Sequence, residues 1–285
     1  MGYDAAMIRY LVPRGIMTGP AAVRAIASGL ALPLAGGPLA FAMVDAIERN
    51  AGQPGQRRSV DLKAARGFAP DQLAAISAPR AAWAGFDLTR PLIMGVLNVT
   101  PDSFSDGGDF ADAATAIDHG RAMLAAGADI LDVGGESTRP GAAPVSPQDE
   151  AGRILPVVRA LSEAGAIVSI DTRHAAVMDQ AVKAGARIIN DVTALTGDAD
   201  SPRVAAQSGA AIVLMHMLGE PQTMQQDPRY ADVTCDLIDY FTDRLSALAK
   251  LGVDRARIAV DPGIGFGKTV DHNVQLLDEL AAFHV

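Results

Sequence analysis

The sequence predicts an α/β fold of the (β/α)8 TIM-type barrel class, with about six of the eight βα units present and an N-terminal extension before them. Two observations predict it. From Arg90 onward, short apolar runs alternate with Ala-rich amphipathic segments, and this alternation is typical of βαβ units. Polar or glycine residues follow each run. We therefore expect residues 1–88 to form an extension of unknown role and residues 89–285 to form the barrel domain, truncated before strands 7 and 8.

The apolar runs are three to six residues long, rich in Val and Ile, and hydrophobic on both faces, which favours buried parallel strands. They are Leu92–Leu97, Asp129–Val133, Ile167–Ile170, Arg187–Ile189, Ala211–Met215 and Arg257–Val260. The helix candidates that alternate with them are Ala111–Ala126, Pro147–Ala164, Arg173–Ala184, Ser201–Gln207, Val233–Leu251 and Asp271–Phe283.

The first 88 residues have a different texture. They are rich in Ala, Gly and Pro, and their apolar pattern is irregular. The polar stretch Asn50–Ser59 is typical of a loop, and Met7–Val12 is a possible strand.

The residues that follow the runs carry the functional signal. In chain order they are Asn98, Gly134 with Gly135 and Glu136, Asp171, Asn190 with Asp191, His216, and Asp261. In a (β/α)8 barrel the carboxyl ends of all strands converge on one mouth, where the active site lies. A doubly wound sheet would instead spread them along an edge and place the site at one switch point. A single Asp or Asn after a strand often caps a helix or forms a turn, so Glu136 and Asp191 retain a structural interpretation.

Composition excludes several classes of protein. The net charge of -9 and the lack of a basic patch argue against nucleic-acid binding. The single cysteine, Cys235, excludes an intramolecular disulfide and a cysteine zinc site; within a helix candidate, we expect it to be inert. The N-terminus lacks a signal-peptide layout, and the apolar stretch Leu30–Val44 is interrupted and too short to span a bilayer. We expect a cytoplasmic protein without a membrane partner.

One glycine-rich segment, Asp261-Pro-Gly-Ile-Gly-Phe-Gly-Lys-Thr269, is superficially like a nucleotide P-loop. The P-loop pattern needs a glycine where this chain has Pro262, so the match fails. A carboxylate at Asp261 would also be unfavourable beside a triphosphate. The sequence therefore disfavours a kinase or NTPase.

Five segments together carry a family resemblance. Met94-Gly-Val-Leu-Asn-Val-Thr-Pro-Asp-Ser-Phe-Ser-Asp-Gly-Gly108 and Asp132-Val-Gly-Gly-Glu-Ser-Thr-Arg-Pro-Gly141 resemble the first two signatures of dihydropteroate synthases. Ser169-Ile-Asp-Thr172, Ile189-Asn-Asp191 and Asp261-Pro-Gly-Ile-Gly-Phe-Gly-Lys268 resemble three more, in the family's order and spacing. Residues 1–88 resemble N-terminal extensions of some bacterial members.

The resemblance implies a transferase of folate biosynthesis. The family enzyme displaces pyrophosphate from 6-hydroxymethyl-7,8-dihydropterin pyrophosphate as the amine of p-aminobenzoate attacks the methylene carbon, which gives 7,8-dihydropteroate. It also implies a (β/α)8 barrel, usually a homodimer, with Mg2+ as cofactor.

Family position assigns roles to the strand-end residues. Asp261 would accept two hydrogen bonds from the amino and N–H edge of the pterin, and Asn190 offers a donor and an acceptor to neighbouring ring atoms. Asp171 would meet the other side of the ring and stabilise developing positive charge. Met215 would pack on the ring face, and Asn98 would supply an oxygen to Mg2+.

Loop residues complete the predicted site. The loops after the first two strands carry Asp102, Ser103 and Phe104, and then Thr138 and Arg139. Arg139 would pair with a carboxylate or pyrophosphate, and Thr138 would hydrogen-bond a phosphate or pterin oxygen. A slot for p-aminobenzoate is expected at Phe266, with Phe104 as a second wall, and Lys268 nearby; Lys268 is alternatively a solvated loop residue.

Other interpretations stay open. His216 lies outside the signatures, and a packed, hydrogen-bonded histidine is the simpler expectation there. The family continues with a Ser-Arg-Lys segment after the seventh strand and an Arg-x-His segment after the eighth, and neither is found here. The alternatives to an active synthase are therefore a catalytically inactive fragment or a pterin-binding module, methyltransferase-like or purely ligand-binding, that lacks the synthase anion site.

Overall fold

The computed structural model describes residues 8–50, 52–99, 109–136, 145–220 and 223–284. The chain divides into two compact units. The first unit contains the residues up to Ala81 together with Arg229–Tyr240 and the residues from Lys268 onward. The second unit contains Ala82–Pro228 and Phe241–Gly267. That residues 1–88 serve as a separate extension stays a prediction.

The first unit contains an antiparallel sheet. The elements before residue 82 are β1 (Ile8–Met17), α1 (Gly19–Ala27), β2 (Leu32–Pro33), β3 (Ala40–Arg49), β4 (Gln56–Asp61), α2 (Leu62–Phe68) and α3 (Pro70–Ser77). Strand β3 is central, since it pairs with β1 along one side and with β2 and β4 along the other. Leu11, Phe41 and Ile76 are buried together in the core of this unit. The possible strand at Met7–Val12 falls, over its described residues, within β1.

The predicted loop at Asn50–Ser59 is wrong in its last part, because Gln56–Ser59 belongs to β4. The strand contains one apolar residue, Val60, so its sequence shows no alternation of apolar and polar residues. Val60 is also the one residue of this strand that is buried. The strand forms through its backbone pairing with β3 and through polar cross-strand contacts, such as the hydrogen bond from Ser59 to Asp45. A polar strand of this kind gives no apolar signal in the sequence.

Ion pairs with buried carboxylates join distant segments of the first unit. The Arg57 guanidinium lies 2.8 Å from Asp232 Oδ2 and 2.8 Å from Glu279 Oε1. The side chains of Asp232 and Glu279 are each only 4% exposed. At Arg49 the burial is reversed, since the arginine side chain is buried and its partners Asp236 and Asp239 are partly exposed. Because a buried charge without a partner is costly, these arginines stabilise the packing of segments far apart in the chain.

The second part of the chain alternates strands and helices as predicted. From residue 94 onward the elements are β5 (Met94–Asn98), α4 (Asp109–Ala125), β6 (Ile130–Gly134), α5 (Pro147–Glu163), β7 (Ile167–Asp171), α6 (Ala175–Lys183), β8 (Ile188–Asp191), α7 (Ser201–Ser208), β9 (Ala211–Met215), α8 (Val233–Ala249), β10 (Ile258–Asp261) and α9 (Val270–Asp278). Short 3-10 helices cover Arg255–Arg257 and Leu280–His284.

The six strands of the second unit form one parallel sheet in the order β10-β9-β8-β7-β6-β5. Each strand therefore pairs with its neighbours in the sequence, as in a barrel, and the prediction of an incomplete TIM-type α/β barrel is confirmed. Among the described residues β5 and β10 each pair along one side only, and Val96 of β5 is 59% exposed. The strand bounds differ from the predicted runs mainly by including the polar end residue.

The last predicted helix, Asp271–Phe283, is interrupted. Helix α9 ends at Asp278 and a 3-10 helix follows from Leu280. The break is at Glu279, whose carboxylate accepts hydrogen bonds from Arg57.

A short hairpin lies against the beginnings of the parallel strands. Trp83 and Phe86 exchange two backbone hydrogen bonds of 3.0 and 2.8 Å, and both pack against Ile130, Ile188 and Ala211. This end of the second unit is therefore apolar, which leaves the opposite end of the strands for polar chemistry. In the described part of the chain, no helix is long and apolar enough to cross a membrane.

Candidate active site

Five of the predicted strand-end residues share one face of the parallel sheet, here called the inner face. Side chains alternate between the two faces of a strand, and the register between strands shows which residues align. The inner face consists of Met94, Val96 and Asn98 of β5, Ile130, Asp132 and Gly134 of β6, Ile167, Ser169 and Asp171 of β7, Ile188 and Asn190 of β8, Ala211, Val213 and Met215 of β9, and Ala259 and Asp261 of β10. Its residues are apolar where the strands begin and polar where they end.

Four inner-face positions form a continuous row at the carboxyl ends of β5 to β8. Asn98 aligns with Gly134, Gly134 with Asp171, and Asp171 with Asn190. On the next strands, Met215 aligns with Asp261. The structure thus brings together five predicted site residues on one face, as the barrel interpretation requires.

The first glycine of the pair after β6 has room for a side-chain atom in this row. A Cβ built on Gly134 would lie 3.4 Å from Asp171 Oδ2 and 3.7 Å from Asn98 Oδ1. These are ordinary van der Waals distances, so the position could hold a methyl group without a clash. The space at Gly134 is therefore bordered by an amide oxygen and a carboxylate oxygen, which suits a polar ligand.

The second glycine, Gly135, is required for a different reason. A Cβ on Gly135 would lie 2.8 Å from Ile154 Cγ2, which real side chains essentially never show, and 3.0 Å from Glu150 Cγ, which is tight. Gly135 therefore allows the chain after β6 to pass close to helix α5. The two adjacent glycines thus separate into one that leaves ligand space and one that permits packing.

Asp171 lies in an environment that disfavours its charged form. Burial raises the pKa of Asp171 well above its usual value, and the carboxylates of Asp132, Asp191 and Glu150 raise it further. No residue in the described ranges hydrogen-bonds to its side chain. A carboxyl group with a raised pKa and no hydrogen bond from the described residues, at the mouth of a barrel, is a candidate for ligand contact.

Sequence reasoning gave no role to Asp132, yet the structure places it beside Asn190. Asp132 is 5% exposed, and its Oδ2 accepts a hydrogen bond of 2.9 Å from Asn190 Nδ2. Its Oδ1 is buried and has no hydrogen-bond partner among the described residues. Burial raises the pKa of Asp132, and the nearby Asp261 adds to the shift. The available signal was a carboxylate at an inner-face position inside the apolar run Asp129–Val133.

Asp191, one residue from Asn190, faces the other way. It is fully buried and accepts hydrogen bonds from the backbone N–H groups of Thr193 (2.7 Å) and Leu195 (3.1 Å). It therefore holds the turn that follows β8. The structural interpretation of Asp191 accounts for these contacts, and strand alternation is the rule that separates it from Asn190.

The glycine-rich segment after β10 turns sharply around Asp261. The carboxylate oxygen Oδ1 of Asp261 accepts a hydrogen bond of 2.8 Å from the N–H of Gly263. Gly263 has φ of 66°, and a Cβ there would lie 2.1 Å from the carbonyl oxygen of His216. His216 itself is 7% exposed, and its backbone N–H donates to Asp261 O at 3.1 Å, which supports the packed interpretation of this histidine.

The remaining predicted residues differ in their burial and contacts, and some lie outside the described part of the chain. Phe266 is partly buried, and its N–H donates to Gly263 O at 3.0 Å. Lys268 belongs to the first unit and is 3% exposed, so its interpretation as a solvated loop residue is wrong. Cys235 is buried, and burial raises the pKa of its thiol. Five predicted loop residues lie outside the described residues: Asp102, Ser103, Phe104, Thr138 and Arg139.

Within the described ranges, no group of three or more His, Cys, Asp or Glu side chains is arranged to hold a metal ion. Asn98 lies at the end of β5 with an exposed side chain, and its oxygen borders the space at Gly134. A magnesium ion that keeps most of its waters and shares a phosphate needs only one or two protein oxygens. The chemistry of this position therefore fits such an ion.

Comparisons with known proteins agree with this geometry. The family model described as pterin binding enzyme matches residues 94–285. The dihydropteroate synthase of Escherichia coli K12 is 45% identical over 199 residues, which cover 70% of this chain and 70% of that protein.

Solved structures give the same result. The Xanthomonas albilineans dihydropteroate synthase with 4-aminobenzoic acid superposes with a TM-score of 0.64 at 43% identity, covering 69% of this chain and 71% of the other. The Burkholderia cenocepacia dihydropteroate synthase complexed with 7,8-dihydropteroate has a TM-score of 0.62 at 43% identity, covering 70% and 68%. From the strand-end site, the family match and these relatives together, it follows that the chain belongs to the dihydropteroate synthase family of pterin-binding transferases.

Proposed function

We propose that the inner face at Gly134 holds the pterin of 6-hydroxymethyl-7,8-dihydropterin pyrophosphate, and that this chain transfers the pterin to p-aminobenzoate in folate biosynthesis. The observation that carries the proposal is the row of Asn98, Gly134, Asp171 and Asn190 at the strand ends, in which an amide oxygen and a carboxylate oxygen lie beside Gly134. Relatives with 4-aminobenzoic acid and with 7,8-dihydropteroate support the choice of substrates.

The inner-face residues match the hydrogen-bonding edge of a pterin. A carboxylate can accept two N–H donors at once, a strong charge-assisted arrangement, and Asp261 is assigned this role by its position at the end of β10. Asn190 Nδ2 donates one of its two N–H groups to Asp132, which leaves the second N–H and the amide oxygen of Asn190 for ring atoms. Met215, 4% exposed on the neighbouring strand, packs on the ring face.

In the reaction, the amine nitrogen of p-aminobenzoate forms a bond to the pterin methylene carbon. The bond from that carbon to the pyrophosphate oxygen breaks, the electron pair leaves with pyrophosphate, and the amine loses a proton. Positive charge develops on the pterin as the anion departs. In its ionised form Asp171 stabilises this charge, and the effect is strongest where water is excluded. The developing positive charge favours the ionised form over the neutral form that the raised pKa favours in the ligand-free protein.

We also propose Mg2+ as cofactor, held through Asn98. When bound, the ion neutralises charge on the pyrophosphate. The other loop residues complete the site in this proposal: Thr138 and Arg139 contact the anion, Asp102 and Ser103 lie on the first loop, and Phe104 with Phe266 walls the aminobenzoate ring. The role predicted for Lys268 near that slot stays a prediction.

The proposal includes a cytoplasmic homodimer with small-molecule substrates and no nucleic-acid or membrane partner. The net charge of -9 and the single buried cysteine are consistent with that setting. Sedimentation equilibrium of the purified chain tests the oligomeric state, and a monomer at all concentrations would contradict it.

The test of ligand binding is calorimetry with 6-hydroxymethylpterin. The variant Asp261→Ala removes the proposed acceptor and should weaken binding by about 1–3 kcal/mol, the cost of unpaired buried donors. Asp179→Ala is the matched control, because Asp179 is a half-exposed carboxylate paired with Lys183 on the surface of α6. Unchanged affinity in a folded Asp261→Ala variant would contradict the assignment.

A turnover assay distinguishes an active synthase from a protein that only binds the pterin. Pyrophosphate release that depends on p-aminobenzoate would support the synthase. Pterin binding without turnover would instead support a non-catalytic pterin-binding module.

A further inference from the structure

An ion pair joins the segments that leave β6 and β7 at the site. Arg173 Nε lies 2.9 Å from Glu136 Oε2, and Arg173 Nη2 lies 2.8 Å from Glu136 Oε1. This is the parallel two-bond geometry that makes arginine–carboxylate pairs strong. Glu136 comes two residues after Gly134, and Arg173 two residues after Asp171. The pair therefore lies directly beyond two adjacent positions of the inner face.

The environment of the pair is rich in negative charge. Glu136, Glu150 and Asp191 each interact with the Arg173 guanidinium and raise its pKa. Glu150 is fully buried, its Oε2 lies 2.7 Å from His174 Nδ1, and its Oε1 has no hydrogen-bond partner among the described residues. These carboxylates surround Asp171, which carries the neighbouring inner-face side chain.

The proposed substrate makes this charge a problem. Pyrophosphate carries several negative charges, and carboxylates beside the pterin site repel it. The pterin ring is uncharged and feels no such repulsion. A cation fixed beside Glu136 reduces the negative potential at the mouth without occupying the ring site.

We propose that Arg173 is a specificity-determining residue, which offsets the carboxylates beyond β6 and β7 so that the site accepts a pterin bearing a pyrophosphate group. The inference rests on the proposed function, because it assumes that the pterin ring lies at Gly134. It goes beyond that function by assigning the preference for the charged form of the ligand to one residue outside the family signatures quoted above. Two of the five N–H groups of Arg173 bond to Glu136, and the effect proposed here is that of the guanidinium charge.

The experiment compares two ligands on the full chain by calorimetry: 6-hydroxymethylpterin and its pyrophosphate ester. The measured quantity is the ratio of their dissociation constants. One charge at a site of intermediate polarity changes the binding of an anion by about 10-fold. We therefore expect Arg173→Gln to lower the preference for the pyrophosphate ester about 10-fold and to change the affinity for 6-hydroxymethylpterin less than about 2-fold.

Two further variants distinguish an effect of the Arg173 charge from a purely structural role of the Glu136–Arg173 ion pair. Arg173→Lys keeps the charge but loses the two-bond geometry, so it should retain most of the preference. Glu136→Gln removes a negative charge and releases Arg173, so it should hold or increase the preference. If the pair only braced the loops, all three variants would weaken both ligands by the same factor, and that result would overturn the inference.

The control is Arg203→Gln, because Arg203 forms an exposed ion pair with Asp200 on α7. It should leave the ratio unchanged. Thermal melts show whether each variant is folded, and the ratio is read only in folded protein, with Arg173→Met as a second charge-removing variant if Arg173→Gln fails to fold. Absence of binding of either ligand by the wild-type chain would overturn the proposed function and this inference together. Wild-type binding with an unchanged ratio in Arg173→Gln would overturn this inference alone.

Discussion

The two adjacent glycines after β6 give a test that separates ligand space from packing. The perturbation is the same at both positions, one added methyl group. At Gly134 the new Cβ would meet its nearest atom, Asp171 Oδ2, at 3.4 Å. At Gly135 it would meet Ile154 Cγ2 at 2.8 Å and a second atom, Glu150 Cγ, at 3.0 Å.

The magnitudes follow from these distances. A methyl at ordinary contact distance adds no strain, and replacing glycine by alanine within a strand stabilises it by about 0.5–1 kcal/mol. Gly134→Ala should therefore be as stable as the wild type or slightly more stable. Gly135→Ala inserts a methyl into a packed contact, which typically costs about 1–3 kcal/mol. For a chain of this size, such a loss lowers the melting temperature by about 2–4 °C for each kcal/mol.

Binding should respond in the opposite way. The methyl of Gly134→Ala would occupy the space where we place the pterin, so affinity for 6-hydroxymethylpterin should fall at least about 10-fold, or about 1.4 kcal/mol. Gly135→Ala should bind near normally in its folded fraction. Calorimetry and thermal melts on both variants provide the two readouts. Full pterin affinity in Gly134→Ala, with stability intact, would refute the placement of the ring.

Three further changes have defined outcomes. Because the folded-state pKa of Asp171 is raised, its carboxyl group contributes stability at low pH that is lost as pH rises above its unfolded value of about 3.9. Asp171→Asn should then stabilise the ligand-free protein at pH 8 but not at pH 3.5 in thermal melts; equal gains at both would contradict the shift. Asp191→Ala should cost about 1–3 kcal/mol in denaturant unfolding, because buried donors lose their acceptor. Arg57→Met should cost about 3 kcal/mol, because the buried carboxylates of Asp232 and Glu279 lose their guanidinium partner and keep only weaker contacts. A loss below about 0.5 kcal/mol, the usual size of a surface substitution, would show that the pairs are not stabilising.

The parallel sheet and much of the site could be predicted because both depend on local rules. Apolar runs identify the strands, and the residue after each run identifies the mouth. Strand alternation, applied to those runs, would also have separated Asn190 from Asp191 and drawn attention to Asp132. Asn190 and Asp191 lie on opposite faces, and Asp132 lies on the same face as Asn190, because side chains alternate along a strand.

Other features depend on contacts between distant residues and gave no local signal. The pairing of Glu136 with Arg173 joins residues 37 positions apart, and nothing in either segment indicates the partner. Strand β4 is polar along its length, so its pairing with β3 could not be seen in its own pattern. The division of the chain into two units is hidden for the same reason, since the first unit draws on three separate stretches.

That composition of the first unit sets an order on folding during synthesis. The strands β5 to β10 can pair one after another as they leave the ribosome, because each partner is the preceding strand. The strands of the first unit emerge earlier, yet Arg57 must wait for Asp232 and Glu279, 175 and 222 residues later. The residues of the N-terminal sheet are thus synthesised first, but their ion pairs with the later segments form last. In the interval Arg57 remains without these carboxylate partners.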